Sequence, residues 1–346
     1  MKIGIVNDSM MAIESLRHIL EPLPQYQIVW VAHNGAEAIR LCAEETPDLI
    51  LMDLIMPVMG GNEATKHIMK TTPCAILVVT SYMADHSAKI FEAMGAGALD
   101  VVATPVLGRD KNTSGGKELL EKIARIGKLI GVEAEKRIEV HCSTTKTKIK
   151  PHKDCLFAIG CSTGGPKALV EILAHLPKNF PASVVVTQHM NKQFTSGLAK
   201  WIDSQTELAV GLVAEGDRPQ PGVVLIASTN DHLIMNEKEA LSYIPEPRNN
   251  FYRPSVDIFF TSVAENWQGN AVGILLTGMG KDGAKGLLAL HDKGCYTIAQ
   301  DKATSVVYGM PKAAVELNAA SMVLPVDRIG PACIELFAPK VGACDE

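Results

Sequence analysis

The chain has 346 residues, 47% of them apolar and 21% charged, with a formal net charge of −5. That is about two domains' worth of an ordinary globular protein, with no basic footprint for general nucleic-acid binding. No apolar run approaches the roughly 18 residues of a membrane span, and eight scattered cysteines without a C-x-x-C pair argue against a zinc site or disulfide framework and fit a reducing cytoplasm.

Lys2-Ile-Gly-Ile-Val6 opens the chain as a strand rather than as the longer hydrophobic core of a signal peptide. Apolar runs at 27–31, 48–52, 75–79 and 98–102 predict four more strands. Nearly every position in them is apolar, the pattern of strands covered on both faces in a parallel sheet. Helical spacing fills the intervals, as with Ile13, Leu16 and Leu20 behind the cap candidate Ser9. A fifth helix carries Leu119, Ile123, Ile126 and Ile130 on one stripe and ends near Gly131. The alternation predicts a doubly wound α/β domain over 1–131.

From 132 to 153 the periodicity collapses into six Lys/Arg and three Glu around Ser143-Thr144-Thr145, the composition of an exposed linker. A second α/β pattern over 154–346 begins at Cys155 and predicts further strands at 183–187, 223–227, 271–276 and 295–299.

In the first domain Asp8, Asp53 and Thr80 follow the first, third and fourth strands, on the shared edge where open parallel sheets place their ligand sites. Carboxylates clustered there suit a hard cation such as Mg²⁺, and Asp53 could then accept a phosphoryl group. The competing reading makes all three turn and cap residues. Ile5-Val-Asn-Asp8, Leu51-Met-Asp-Leu-Ile-Met-Pro57, Val78-Val-Thr-Ser81 and Gly95-Ala-Gly-Ala98 resemble the receiver domains of two-component response regulators. The resemblance implies a flavodoxin-like strand order, phosphorylation at Asp53, Mg²⁺ on Asp8 and Asp53, and Thr80 as switch hydroxyl. The family's usual acidic pair is Asn7-Asp8 here, and its phosphate-pairing lysine is Thr104, which removes a charge-assisted contact.

In the second domain Gly160-Cys-Ser-Thr-Gly-Gly165 follows a strand and precedes a helical run. It fits G-x-S-x-G, a sharp turn that presents Ser162 beside helix N-terminal amides. A serine needs a base, and His189 stands just past a strand; a base needs an orienting group, and Asp282 follows another strand in a second glycine-rich turn. Other readings stay open on spacing alone: a nucleotide-binding turn at 160–165, Cys161 as nucleophile, a structural His189, and Asp282 as the cap of the helix after Gly283. His175, His232 and His291 show no comparable strand-end setting as a group.

Across the whole chain Gly160-Cys-Ser-Thr-Gly-Gly165, Thr187-Gln-His-Met190, Arg253-Pro-Ser-Val-Asp257, Leu276-Thr-Gly-Met-Gly-Lys-Asp-Gly283 and Gly309-Met-Pro311 resemble the chemotaxis protein-glutamate methylesterases, the CheB family. The resemblance implies two doubly wound parallel-sheet domains, the second Rossmann-like. It implies Ser162 as nucleophile, His189 as general base, Asp282 as its orienting acid, and the backbone amides of Thr163 and Met279 as oxyanion hole, with no cofactor for the esterase. It further implies methyl-accepting chemoreceptors as substrate, a CheA-type histidine kinase as phosphodonor, a cytoplasmic monomer, and inhibition by the unphosphorylated receiver. Ile5-Val-Asn-Asp8, Ile28-Val-Trp-Val31 and Ala103-Thr-Pro-Val-Leu-Gly108 are similar to the WspF-type branch, which acts in systems controlling a diguanylate cyclase. Two other functions compete: a phospho-regulated binding module with a vestigial esterase, and a general small-ester hydrolase.

Overall fold

The computed structural model describes residues 1–81, 87–107, 113–131, 154–250 and 252–337. The chain divides into two compact units, residues 1–139 and 140–346. The expected linker, 132–153, lies outside the described residues.

The first unit runs β1 (Lys2–Val6), α1 (Met10–Leu20), β2 (Gln27–Ala32), α2 (Gly35–Glu44), β3 (Leu49–Met52), α3 (Gly61–Thr71), β4 (Ala75–Thr80), α4 (Ser87–Gly95), β5 (Asp100–Ala103), the two-residue strands β6 (Val106–Leu107) and β7 (Thr113–Ser114), and α5 (Gly116–Ile130). The five longer strands form one parallel sheet in the order β2-β1-β3-β4-β5, the flavodoxin-like order. Ser9 Oγ accepts from the Ala12 amide and Asn34 Oδ1 from Glu37, which satisfies donors that a helix start leaves unpaired. Ile13, Leu16 and Leu20 of α1 and Leu119, Ile123 and Ile126 of α5 pack with Ile3, Ile5, Leu51 and Leu77 of the sheet in one core. The helices cover the faces, so the carboxyl ends of the strands, with Asp8, Asp53 and Thr80, form the remaining edge.

The second unit runs β8 (Cys155–Cys161), α6 (Gly165–Leu173), β9 (Ser183–Gln188), α7 (Lys192–Asp203), β10 (Ala209–Leu212), β11 (Val223–Ile226), β12 (His232–Met235), β13 (Leu241–Ile244), α8 (Val256–Asn266), β14 (Asn270–Leu275), α9 (Ala284–Asp292), β15 (Tyr296–Gln300), α10 (Met310–Glu316), β16 (Met322–Leu324) and α11 (Val326–Glu335). Seven parallel strands lie in the order β10-β11-β9-β8-β14-β15-β16, and β12 and β13 form a separate antiparallel hairpin. Every residue of β8 and β9 is buried, which is why both read as unbroken apolar runs. Phe259 and Phe260 of α8 and Leu287 and Leu290 of α9 pack with Leu156, Ala158 and Val185 of the sheet. The chain continues from β8 to β9 on one side and returns through β14 on the other. This is a topological switch point, where such sheets open a crevice at their carboxyl ends.

Candidate active site

Ser162 leaves β8 at that crevice. Its N–H donates to the Thr277 carbonyl at 3.0 Å, and its own carbonyl accepts from Gly165 at 2.8 Å, closing a tight turn into α6. Gly164 takes φ +79°, and the Val306 side chain fills the space a Cβ would need, so only glycine suits this position. Cys161 pairs with Gln188 across the β8–β9 ladder, and the His189 N–H donates to the Cys161 carbonyl at 3.0 Å. Ser162 and His189 therefore leave neighbouring strands side by side.

Gln188 ties the two together. Its amide nitrogen donates to the carbonyls of Ser162 (3.0 Å) and His189 (3.2 Å), while its oxygen accepts the Cys161 thiol at 2.9 Å. Burial pushes that thiol well above its ordinary range. Cys161 is fully buried and donating, so it packs and braces rather than attacks.

Asp282 arrives from the loop after β14. Its carboxylate accepts from His189 Nε2 at 2.7 Å, Ser255 Oγ at 2.7 Å, and the Val256 and Asp257 amides at 2.6 and 3.2 Å. Burial acts to raise its pKa, but the hydrogen bond and charge of His189, with Ser255 and Val256, outweigh that and hold the carboxyl below its ordinary value. An ionised carboxylate only accepts, so Nε2 of His189 carries the proton. Nδ1 is buried and without a hydrogen-bond partner among the described residues; in the neutral imidazole it is the nitrogen left to accept a proton.

Asp282 is not the cap of α9. Gly283 occupies the N-cap, and Asp257 supplies the carboxylate there, accepting from Gly286 at 2.8 Å. With that task filled from α8, Asp282 turns to the base instead.

The loop 277–280 lies against Ser162: a methyl group on Gly278 would stand 2.8 Å from Ser162 Cβ. Thr277 Oγ1 donates to the Thr163 carbonyl at 3.0 Å and accepts from the Val307 amide at 2.9 Å, which locks this loop to the serine turn. Among the described residues the amides of Thr163 and Met279 have no protein acceptor.

Four residues of this site were not singled out as functional by the sequence: Gln188, Ser255, His232 and Tyr252. Gln188 and Ser255 lie inside the motifs around His189 and Asp257, and Tyr252 directly precedes one. His232 was passed over, yet it is fully buried and its Nδ1 accepts the Ser255 N–H at 3.1 Å. Tyr252 stacks on the His189 ring at 4.8 Å between centroids.

In the first unit the Asp53 N–H donates to the Val6 carbonyl at 2.9 Å, and its Oδ1 accepts the Leu54 amide at 2.7 Å. Burial pushes the Asp53 carboxyl up; hydrogen bonds from Leu54, Thr80 and Ile55 partly offset this, and the charge of Asp8 adds to the rise. Asp8 is exposed, whereas Asn7 turns its Oδ1 back onto the Ser9 amide at 2.8 Å. Two mutually repelling carboxylates suit a hard divalent cation, since Mg²⁺ is commonly held by one or two carboxylates plus water and phosphate oxygens. Among the described residues no group of three or more His, Cys, Asp or Glu is gathered as a metal site would be. The Thr104 amide donates to the Thr80 carbonyl at 3.0 Å, and no lysine occupies that position.

Residues 157–333 match the model of the CheB methylesterase family, and residues 3–111 match that of the response regulator receiver domain. A protein-glutamate methylesterase/protein-glutamine glutaminase of Pseudomonas fluorescens is 51% identical, over 98% of this chain and 100% of that one. One of the same name from Bordetella avium is 49% identical, over 98% of each chain. The crystal structure of the CheB methylesterase catalytic domain of Thermotoga maritima is 41% identical, with a TM-score of 0.50 over 53% of this chain and 98% of that one. By family this chain is a CheB methylesterase that carries a response regulator receiver domain.

Proposed function

We propose that the chain hydrolyses methyl esters of glutamate side chains on methyl-accepting chemoreceptors, and deamidates glutamines there, through Ser162, His189 and Asp282. The relatives' shared name supports this substrate class. The observation that carries it is the 2.7 Å contact between Asp282 and His189 Nε2, on a histidine that leaves the strand next to that of Ser162.

Ser162 Oγ attacks the ester carbonyl as His189 Nδ1 takes its proton. The oxyanion rests on the amides of Thr163 and Met279, and removing one such donor typically costs about 100-fold or more. Methanol leaves with the proton returned by His189. Water, deprotonated by the same nitrogen, then releases the glutamate carboxylate and restores Ser162. With glutamine the leaving group is ammonia.

The receiver receives a phosphoryl group on Asp53 from a CheA-type histidine kinase, with Thr80 as switch hydroxyl, and phosphorylation raises esterase output. Asp8 and Asp53 would hold Mg²⁺, which would supply positive charge against the incoming phosphate. The chain acts as a cytoplasmic monomer; among the described residues no helix is long and apolar enough to cross a membrane. The similarity of the receiver segments to the WspF-type branch supports receptors whose output is a diguanylate cyclase rather than the flagellar motor.

The test is methanol release from methylated receptor membranes with and without a small phosphodonor, with Ser162→Ala as blank. Release that rises with phosphodonor is expected. Release no higher than the blank would instead favour the binding module. Turnover of small soluble esters without methylated receptors would favour the general hydrolase. A fragment of residues 152–346 is expected to outpace the full chain without phosphodonor.

A further inference from the structure

Two different groups hold the imidazole of His189. Asp282 takes its edge at Nε2, and Tyr252 takes its face. The Tyr252 and His189 rings are stacked, with centroids 4.8 Å apart and planes inclined by 15°. The far end of the tyrosine is fixed as well, because its hydroxyl lies over Gly280, where an added Cβ would overlap it. Gly280 has φ +88° and belongs to the loop that carries the Met279 amide. Tyr252 thus spans from the base to the backbone beside the proposed oxyanion donors.

A ring in this place does more when the base is charged. Neutral imidazole gains dispersion from the contact. An imidazolium gains, in addition, attraction to the negative face of the aromatic ring. His189 takes the proton of Ser162 in one transition state and of water in the other, so the additional attraction grows as charge develops on the imidazole. Interactions that strengthen towards the transition state raise kcat, whereas those present throughout do not.

We propose that Tyr252 is a positioning residue that stabilises His189 in its protonated form during turnover, acting through the base without touching substrate. This rests on the reading of His189 as general base. A ring that merely fills space beside His189 would serve equally well whatever its electron density, and the two roles separate on that property.

The experiment measures methanol release by the full chain over a range of receptor concentrations for Tyr252→Phe, Tyr252→Leu and a trifluorinated phenylalanine introduced at position 252. Phenylalanine keeps the ring face, and its kcat is expected within about twofold of the parent. Leucine removes the face, and kcat is expected to fall about tenfold with KM unchanged, within the range of a desolvated cation–π contact. The fluorinated ring has nearly the shape of phenylalanine with a weakened face, and its kcat is expected about threefold or more below that of Tyr252→Phe. Equal kcat for the fluorinated and plain rings would overturn the proposal even if Tyr252→Leu fails to fold. So would a rise in KM with kcat unchanged in Tyr252→Leu, which would make Tyr252 a substrate contact. A parent chain no faster than Ser162→Ala would overturn the esterase reading and this inference with it, whereas an active parent with indifferent variants overturns this inference alone.

Discussion

The hydroxyl of Ser255 and the carboxylate of Asp282 meet at 2.7 Å, both buried. Behind them the chain of contacts continues. The Ser255 N–H donates to His232 Nδ1, so His232 is neutral with its proton on Nε2, facing the Pro247 carbonyl at 3.3 Å. The same serine caps α8 through the Ile258 amide at 3.4 Å. Ser255→Ala removes one of four donors from Asp282 and the helix cap together. Stability is expected to fall by about 1–2 kcal/mol in thermal unfolding. Methanol release is expected to slow on the order of tenfold in kcat, because Asp282 no longer holds His189 at one fixed angle.

Asp53 and Asp282 respond to acid in opposite senses. The Asp53 carboxyl is raised above the ordinary 3.8, chiefly by burial, so ionising it costs the folded state free energy at neutral pH. That cost disappears as pH falls through the raised value to 3.8. Asp53→Asn keeps an acceptor for the Leu54 amide and is expected to stabilise the receiver at pH 7, with the gain vanishing below pH 3.8. Asp282 is held below 3.8, so its contribution is stabilising above that pH and is lost as pH falls beneath it. Denaturant midpoints of the two Asp→Asn variants across pH 3–7 read both signs.

The strands were legible wherever they are buried on both faces. Those of the five-stranded sheet and β8, β9, β11, β14 and β15 were expected within about two residues of their observed bounds. β10, β12, β13 and β16 were not. β10 is exposed or half-buried along its length, β16 has three half-buried residues, and the β12–β13 hairpin has mixed burial; none is covered on both faces. Ser162, His189 and Asp282 were singled out because a parallel sheet gathers its strand ends on one edge. Gln188 and Ser255 were not, because their partners lie 26 or 27 residues away and spacing carries no information on such contacts. The same blindness left Asp282 open as a helix cap until Asp257 was seen in that place.

Gln188 supplies two donors to carbonyls belonging to the nucleophile and the base. Gln188→Met fills similar volume with no donor and no acceptor, so the His189 carbonyl and the buried Cys161 thiol lose their Gln188 partner while the Ser162 carbonyl keeps only the Gly165 amide. The expected loss is about 2–4 kcal/mol of stability and on the order of 100-fold in kcat, since small displacements of reacting groups are expensive. Gln188→Glu is expected to be worse than Met, because it turns a carboxylate oxygen towards two carbonyls and buries a charge. Thermal unfolding and methanol release, compared for the two variants, distinguish lost donors from lost volume.

Thr104 stands where a receiver normally places a cation near the phosphorylated carboxylate. Its amide donates to the Thr80 carbonyl at 3.0 Å, and the Thr80 hydroxyl is among the groups that act to lower the Asp53 pKa, so position 104 adjoins the proposed phosphorylation site. Threonine offers a phosphoryl oxygen at most a neutral hydroxyl, whereas lysine offers a charge-assisted contact of about 1.5–3 kcal/mol. Thr104→Lys is therefore expected to lower the phosphodonor concentration for half-maximal methanol release by about tenfold, with basal release unchanged because the esterase residues are untouched. Adding Asp53→Asn to Thr104→Lys is expected to abolish the response to phosphodonor, since the new cation then has no phosphoryl group to hold. A response that survived Asp53→Asn would mean that the phosphodonor acts elsewhere on the chain. An unaltered dose dependence in Thr104→Lys alone would mean that the missing cation does not limit this receiver.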